Sequence, residues 1–493
     1  MSLGESIRSG VKWLVVGKIG NRLMEFAFGV ILARLLVPAD FGMIATIAVF
    51  TGFVGMFTSG GMGQSLIRAK AADENDFTAV FTLQLAMGGI VYLAFYLSAP
   101  LIADLFGDPL YTDLVRVSAL SFLLRPFLTV RNAWLNRQMN FKSRSLVDVS
   151  SGFVTGLTSS LMAWFGMGVW SLTLAGLFAS LLQSFWLGRL TPLRLSLNLD
   201  LPRMRRHSSY GSMIIATDFV SYLRTESKNL ILSKFAGPAF LGLFKKAESL
   251  SRLPNQLLMS PTMEPLFRAM SKAQDDIDQT KYLYFRSVTL LMAYTAPTYV
   301  LLWWIAEPFV GFVYGAKWIE AGATMSVLAT AGFFLNVVFP CSVVLAAQNR
   351  LGQELLALSL NLMLVVAGCF VGLKWGLNGV AWAIVLSQAA LAVHFAWLVQ
   401  RILGSRLREL LQAVAPGLAL SGIMFGALAA TDLAARELKA TSPVFYLALM
   451  SGAGGLLYVA GFLWTPFPAL RDEASRWREK LGGGLALIRK ALP

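Results

Sequence analysis

Apolar runs about twenty residues long recur some fourteen times along this chain, more than any soluble fold could bury. The chain is therefore read as an all-α integral membrane protein with about 14 transmembrane helices. The approximate spans are 11–35, 41–65, 79–103, 113–136, 147–166, 169–189, 210–233, 240–266, 285–306, 321–346, 355–374, 378–401, 411–431 and 443–465. The longest polar stretches, near 191–207 and 268–282, are too short for a separate soluble domain. Composition agrees: only 14 % of residues are charged and mean hydropathy is +0.62, where soluble chains carry about 25 % charged residues.

The net charge of +15 would fit a nucleic-acid partner, but the basic residues are scattered between apolar spans rather than clustered. Loop charge instead sets orientation. With the N-terminus inside, about 26 Lys and Arg fall on the cytoplasmic side and about five on the other. This predicts a multi-pass protein of the bacterial inner membrane with both termini cytoplasmic and no nucleic acid bound. No cleavable signal peptide is read at the start. Cys341 and Cys369 lie in apolar runs, and His207 and His394 lack metal spacing, so no metal or cofactor is expected. The basic tail mixes Arg471, Arg476, Arg478 and Lys480 with Leu and Trp477. It reads either as an interfacial helix on an anionic leaflet or as a partly disordered segment.

The segment LARLLVPADFG from Leu32 aligns without gaps to LSKFAGPAFLG from Leu232, pairing Pro38 with Pro238 and Gly42 with Gly242. FG at Phe106 and YG at Tyr314 form a second echo, and GMGVW from Gly166 and GLNGVAW from Gly376 a third. The echoes keep chain order, which predicts two six-helix bundles related by a repeat plus two C-terminal helices. The expected division is 1–190, a cytoplasmic linker 191–209, 210–402, two additional helices in 403–466 and the tail 467–493. Parallel repeats of this kind are a transporter architecture with binding sites near the repeat interface.

Several charges fall near mid-span, where each costs about 2.5–3.5 kcal/mol. Lys18, Arg22 and Glu25 are spaced to share one helix face, as are Ser121, Arg125, Thr129, Asn132 and Asn136. Asp218, Tyr222, Thr225 and Asn229 form a third stripe beside Arg224, Glu226 and Lys228. Lys245, Glu248, Ser249 and Arg252 form a fourth. Such stripes are expected to face a shared water-filled space. The candidate substrate-binding cations are Lys18, Arg22, Arg125, Arg224, Lys228, Lys245 and Arg252. Glu25, Asp218, Glu226 and Glu248 are the ion-coupling candidates. A net-cationic cavity suits an anionic head group, because Arg forks match phosphate oxygens. The local readings stay open: Arg22 with Glu25 as a helix ion pair, and Lys245, Lys246 and Arg252 snorkelling to an interface.

No GxxxxGK[ST], HExxH or GxSxG motif occurs, and no outer loop is large enough to carry paired carboxylates. No enzyme is expected. Transport would draw on an ion gradient, the membrane potential or consumption of the product.

The motifs LARLLVPADFGMIA (32–45), GMGQSLIRAK (61–70), LIADLFGD (101–108), LNRQMNFKS (135–143), FGMGVWSL (165–172), NLILSKFAGPAFLGLFKKAESL (229–250) and LNGVAWA (377–383) stand in order along residues 5–400. Through them the chain resembles the polysaccharide transporter family of Wzx-type lipid-linked oligosaccharide flippases, in the multidrug/oligosaccharidyl-lipid/polysaccharide exporter superfamily. The resemblance implies alternating access and an undecaprenyl-pyrophosphate-linked repeat unit for exopolysaccharide, capsule or lipopolysaccharide. It also implies membrane lipids and the polymerase and chain-length/export proteins of the same pathway as partners. Relatives often carry Asp where Lys228 stands. The competing readings are an ion-coupled exporter or lipid II flippase of the same superfamily, a membrane-embedded polysaccharide polymerase, and a scaffold of an assembly complex.

Overall fold

The computed structural model describes residues 3–59, 61–69 and 72–491, and all regular structure among them is helical. Helices satisfy their backbone groups internally, which a bilayer demands. The chain divides into two compact units, Met1–Gly242 and Leu243–Pro493.

In the first unit, α1 (Leu3–Leu35), α2 (Pro38–Ser59), α3 (Met62–Arg68), α4 (Glu74–Phe106) and α5 (Leu110–Ala119) follow in order. Next come α6 (Ser121–Arg137), α7 (Phe141–Trp164), α8 (Trp170–Leu190) and α9 (Leu201–Ala236). The ends are set by local chemistry. Pro38 starts α2, where its missing N–H costs nothing. Asp73 and Asp76 form a reciprocal capping box on α4, which ends at Gly107 with φ 72°. The tight α7–α8 turn uses Gly166 and Gly168, at φ 78° and 53°, a backbone region that side-chain-bearing residues rarely enter. The linker after α8 is extended and pinned to α4: Asn198 N–H donates to Thr82 Oγ1 at 2.9 Å and Arg194 N–H to Glu74 Oε1 at 3.1 Å. One core cluster joins α2, α4, α5 and α6 through Ile47, Phe95, Tyr111 and Phe122. A second joins α3, α4 and α6 through Leu66, Phe77, Phe81 and Val130.

The two similar motif segments touch each other. The start of α2 meets the start of α10 (Pro238–Ser251) at the paired motif positions. A Cβ on Gly42 would lie 1.7 Å from the Pro238 carbonyl oxygen, and one on Gly242 would lie 1.9 Å from that of Pro38. Each glycine admits the other segment's backbone.

The second unit continues through α11 (Ser260–Lys272), α12 (Ile277–Tyr314), α13 (Ile319–Ala347), α14 (Leu351–Gly372) and α15 (Gly376–Leu403). It ends with α16 (Leu407–Ala434), α17 (Arg436–Thr441), α18 (Pro443–Leu463) and α19 (Pro468–Ala491). Its core gathers Tyr284, Val288, Met292, Cys341, Leu391 and Phe395 from α12, α13 and α15. A second cluster holds α16 and α18 to α12 through Val300, Met424, Tyr446 and Met450. The tail is helical, and the start of α19 docks on α12. Trp477 Nε1 donates to Tyr294 OH at 3.0 Å, and Arg286 pairs with Glu473 at 3.4 Å.

Every expected span coincides with a helix or a broken helix. Among the described residues, nine segments are long and apolar enough to cross a membrane, and one of them, Leu351–Leu403, holds both α14 and α15. The expected spans missing from these nine lie on α1 and α9, which carry many charges along their length, and on α5–α6 and α10–α11, which are broken into short helices. The expected span 240–266 is also discontinuous. A π-helical turn, Asn255–Met259, separates α10 from α11 and lies between Pro254 and Pro261. Such turns replace the regular hydrogen-bond ladder and recur at functional places in helices.

Candidate functional site

The candidate residues fall in both units. The side chains of Lys18, Asp218 and Arg224 lie outside the described residues.

On α1, Asn21 and Phe28 face α7. A Cβ on Gly156 would meet the Phe28 ring at 2.1 Å, and one on Gly152 would meet Asn21 Oδ1 at 3.2 Å. Arg22 points about 100° away from that contact face and Glu25 about 50°. They form an ion pair at 2.8 Å and stay well exposed within the unit, at 59 % and 63 %. The local ion pair and the outward stripe thus coexist: the two charges partner each other while remaining open to a ligand or solvent.

Arg125, on α6, is half-buried and rests against α2. A Cβ on Gly55 would fall 2.0 Å from its Nη1, so the missing side chain makes room for the guanidinium. One turn earlier, Gly52 makes the same room for Tyr222 of α9, whose hydroxyl donates to the Val49 carbonyl at 2.5 Å. The glycine pair on α2 therefore seats a cation from one neighbour and a phenol from another. Below Arg125 on the same α6 stripe, Asn136 Oδ1 accepts from Arg144 Nη1 at 2.6 Å.

The α9 stripe departs from expectation. Tyr222 packs on α2, Asn229 is fully buried, and Ser233 Oγ lies 2.5 Å from Thr46 Oγ1 of α2. At Tyr222 and Ser233 that side of α9 is a contact with α2. Polar pairs between neighbouring membrane helices serve as packing contacts as readily as ligand contacts, and spacing alone does not separate the two. Lys228 is buried and Nζ donates to the Thr225 carbonyl at 2.8 Å. Glu226 accepts from Asn229 Nδ2 at 2.5 Å.

In the second unit, Lys245 and Glu248 lie on α10, and Arg252 follows directly after its end. Glu248 and Arg252 pair at 2.8 Å, the Glu side chain 11 % exposed and the Arg 50 %. They stand directly before the π-helical turn. Lys246, beside them, lies over two aromatic faces, 4.6 Å from the Tyr314 ring centre and 5.2 Å from that of Trp318. This cation–π seat was invisible in the sequence, because Tyr314 and Trp318 lie some seventy residues further on.

A cluster that sequence reasoning missed joins α3, α4 and α9. His207 is buried, with Nδ1 2.7 Å from Ser65 Oγ and Nε2 3.4 Å from Asp76 Oδ1. Arg203 bonds Asp73 and approaches Asp76 at 3.4 Å and Asp200 at 2.8 Å. The Asp76 N–H, and after it Arg203, hold the Asp73 carboxyl below its ordinary range. The same pairing raises Arg203. Arg137 of α6 donates to the Leu66 and Ala69 carbonyls, capping the end of α3. Among the described residues no group of His, Cys, Asp and Glu has the arrangement of a metal site.

A family model described as polysaccharide biosynthesis protein matches residues 31–323, more than half of the chain. The succinoglycan biosynthesis transport protein ExoT of Rhizobium meliloti (strain 1021) is 25 % identical over 71 % of this chain and 70 % of its own length. The lipopolysaccharide biosynthesis protein WzxC of Escherichia coli (strain K12) is 23 % identical over 71 % of this chain and 72 % of its own. The teichuronic acid biosynthesis protein TuaB of Bacillus subtilis (strain 168) is 22 % identical over 96 % of this chain and 99 % of its own. Among solved structures, the lipid II flippase MurJ in its inward closed conformation matches with a TM-score of 0.72 at 16 % identity, over 90 % of this chain and 97 % of its own. An inward-facing multidrug resistance MATE transporter matches with a TM-score of 0.62 at 15 % identity, over 78 % and 94 %.

Proposed function

The chain belongs to the polysaccharide biosynthesis protein family, and from that premise we propose that it flips undecaprenyl-pyrophosphate-linked oligosaccharide repeat units across the inner membrane. The chain is a multi-pass membrane protein of polysaccharide transport, with relatives among succinoglycan and lipopolysaccharide biosynthesis proteins. The finer reading is ours. One observation carries it: cations on α1, α6 and α10 stand well inside the expected spans, where a charge is tolerated only for a partner or a purpose. Arg22, Arg125, Lys245 and Arg252, with Lys18, Arg224 and Lys228, would offer the pyrophosphate fork-shaped and point-charge donors. Glu25 and Glu248, each paired to an Arg, would compete with the phosphate for those cations and release them when protonated. Asp218 and Glu226 complete the ion-coupling set. In this reading the protein does no covalent chemistry, uses no cofactor, keeps both termini in the cytoplasm and works by alternating access. The polymerase and chain-length/export proteins of the pathway would take up what it delivers.

The test is deletion of the gene followed by extraction of lipid-linked saccharides. Complete repeat units should accumulate on the cytoplasmic side, and wild-type plasmid should clear them. Incomplete units would point to an enzyme and overturn the reading. Arg22→Ala and Arg224→Ala should insert normally yet fail to restore polymer. Full polymer yield from both would remove the cationic site.

A further inference from the structure

None of the candidate site residues lies on the hairpin of α14 and α15. The turn between them is a short 3₁₀ segment, Leu373–Trp375, followed by Gly376 at φ 69°. Beneath it the helices approach through small residues. A Cβ on Gly372 would lie 2.6 Å from the Gly379 carbonyl oxygen, and one on Gly379 2.3 Å from that of Gly372. Gly368 faces Ala383, its would-be Cβ 3.0 Å from the real one. This close approach leaves a trough of about 690 Å³, floored by those small residues and walled by Trp375 and Trp382. Both indoles are well exposed. Lys374, in the turn, is exposed and is the one Lys, Arg, Asp or Glu between Glu354 and Arg401. No side chain caps the start of α15 beside it, so the positive end of a 28-residue helix adds to the charge.

We propose that this trough holds one anionic phospholipid, its phosphate at Lys374 and the start of α15, one hydrocarbon chain along the glycine floor. Composition excludes water as the occupant: among the lining side chains only Asn378 and Ser387 are polar. Asn378 already accepts from Thr324 Oγ1, and Ser387 Oγ donates to Ile384. Charge selects the lipid. A single ammonium matches a single phosphodiester, whereas a pyrophosphate would call for the forked, multiple cations found on other helices. The indoles sit at the polar end of the chain, where an amphipathic ring bridges head group and hydrocarbon.

The experiment uses the full chain in phosphatidylcholine vesicles with phosphatidylglycerol bearing a diazirine on its acyl chain. Cross-links should concentrate on residues 364–390 and saturate at low probe fraction. Ala367→Phe and Ala390→Phe fill the trough from exposed positions and should cut this labelling more than tenfold. Lys374→Gln, in an exposed turn where folding is not at risk, should cut it about fivefold and leave a phosphatidylcholine probe unaffected. Three results overturn the proposal. The first is equal labelling of wild type and all three variants, the mark of ordinary surrounding lipid. The second is labelling by a polyprenyl-phosphate diazirine but not by phosphatidylglycerol, which would give the trough to the transported lipid. The third is an efficient Trp382→Cys disulfide between two copies in membranes, which would make it a dimer interface. Because polymer export is not the readout, these results stand apart from the flippase reading.

Discussion

Asp73 joins two jobs in one carboxylate: it caps α4 and it bonds Arg203 across to α9. Its folded value lies below the ordinary 3.8, so its contribution is present at neutral pH and is lost as pH falls through the folded value. Asp73→Ala should cost about 1 kcal/mol at pH 7 through the lost cap. Thermal unfolding of the purified protein checks this, and the gap between wild type and variant should close below about pH 3.8. A gap that persists in acid would mean the variant damages something other than this carboxylate's charge. His207 belongs to the same cluster and is nearly sealed from solvent. His207→Leu leaves Ser65 and Asp76 each short of a buried partner, and should destabilise by about 1–3 kcal/mol in the same assay. Neither role was legible from the residues alone. No motif singled out Asp73 or Asp76, and His207 was set aside because no second ligand stood at metal spacing. The cluster spans residues 65 to 207, and only folding gathers it.

At the scale of the element, α2 shows how far periodicity reaches. Its apolar length marked it as a span, but the purpose of Gly52 and Gly55 appears only with Tyr222 and Arg125 seated on them. Gly55→Ala pushes on the tip of a flexible Arg side chain, so its effect on stability should stay within about 1 kcal/mol. Arg125 would nevertheless be displaced. If Arg125 serves the substrate, Gly55→Ala should lower polymer yield nearly as far as Arg125→Ala, with membrane insertion of both variants unchanged by immunoblot. Wild-type yield from Gly55→Ala would separate Arg125 from transport. The α1 and α10 stripes were read from spacing as shared faces, and their charges do stand together, Arg22 with Glu25 and Glu248 with Arg252. On α9, Tyr222 instead serves a contact with α2. Tyr, Asn and Ser serve helix-to-helix contacts as well as ligands, whereas a paired Arg and Glu left half-exposed has fewer structural uses.

At the scale of the molecule, all-helical architecture followed from apolar run length, while the division into units did not follow from the repeat alone. The expected division would start a second bundle at residue 210, within α9, yet α9 packs on α2, α3 and α4, and the compact units divide between Gly242 and Leu243. Sequence similarity records descent, and packing records which faces found partners. At one point the two coincide, where Gly42 and Gly242 each receive the other segment's backbone. That mutual fit ties the fates of two positions two hundred residues apart. Either alanine alone must push the two helix starts apart, at about 1–3 kcal/mol. Once they are apart, the second alanine meets space already opened. The double variant should therefore unfold with a loss smaller than the sum of the singles by about 0.5 kcal/mol or more. Two similar segments that touch each other in this way carry their errors jointly: a change in one is felt by both, and the second change comes almost free.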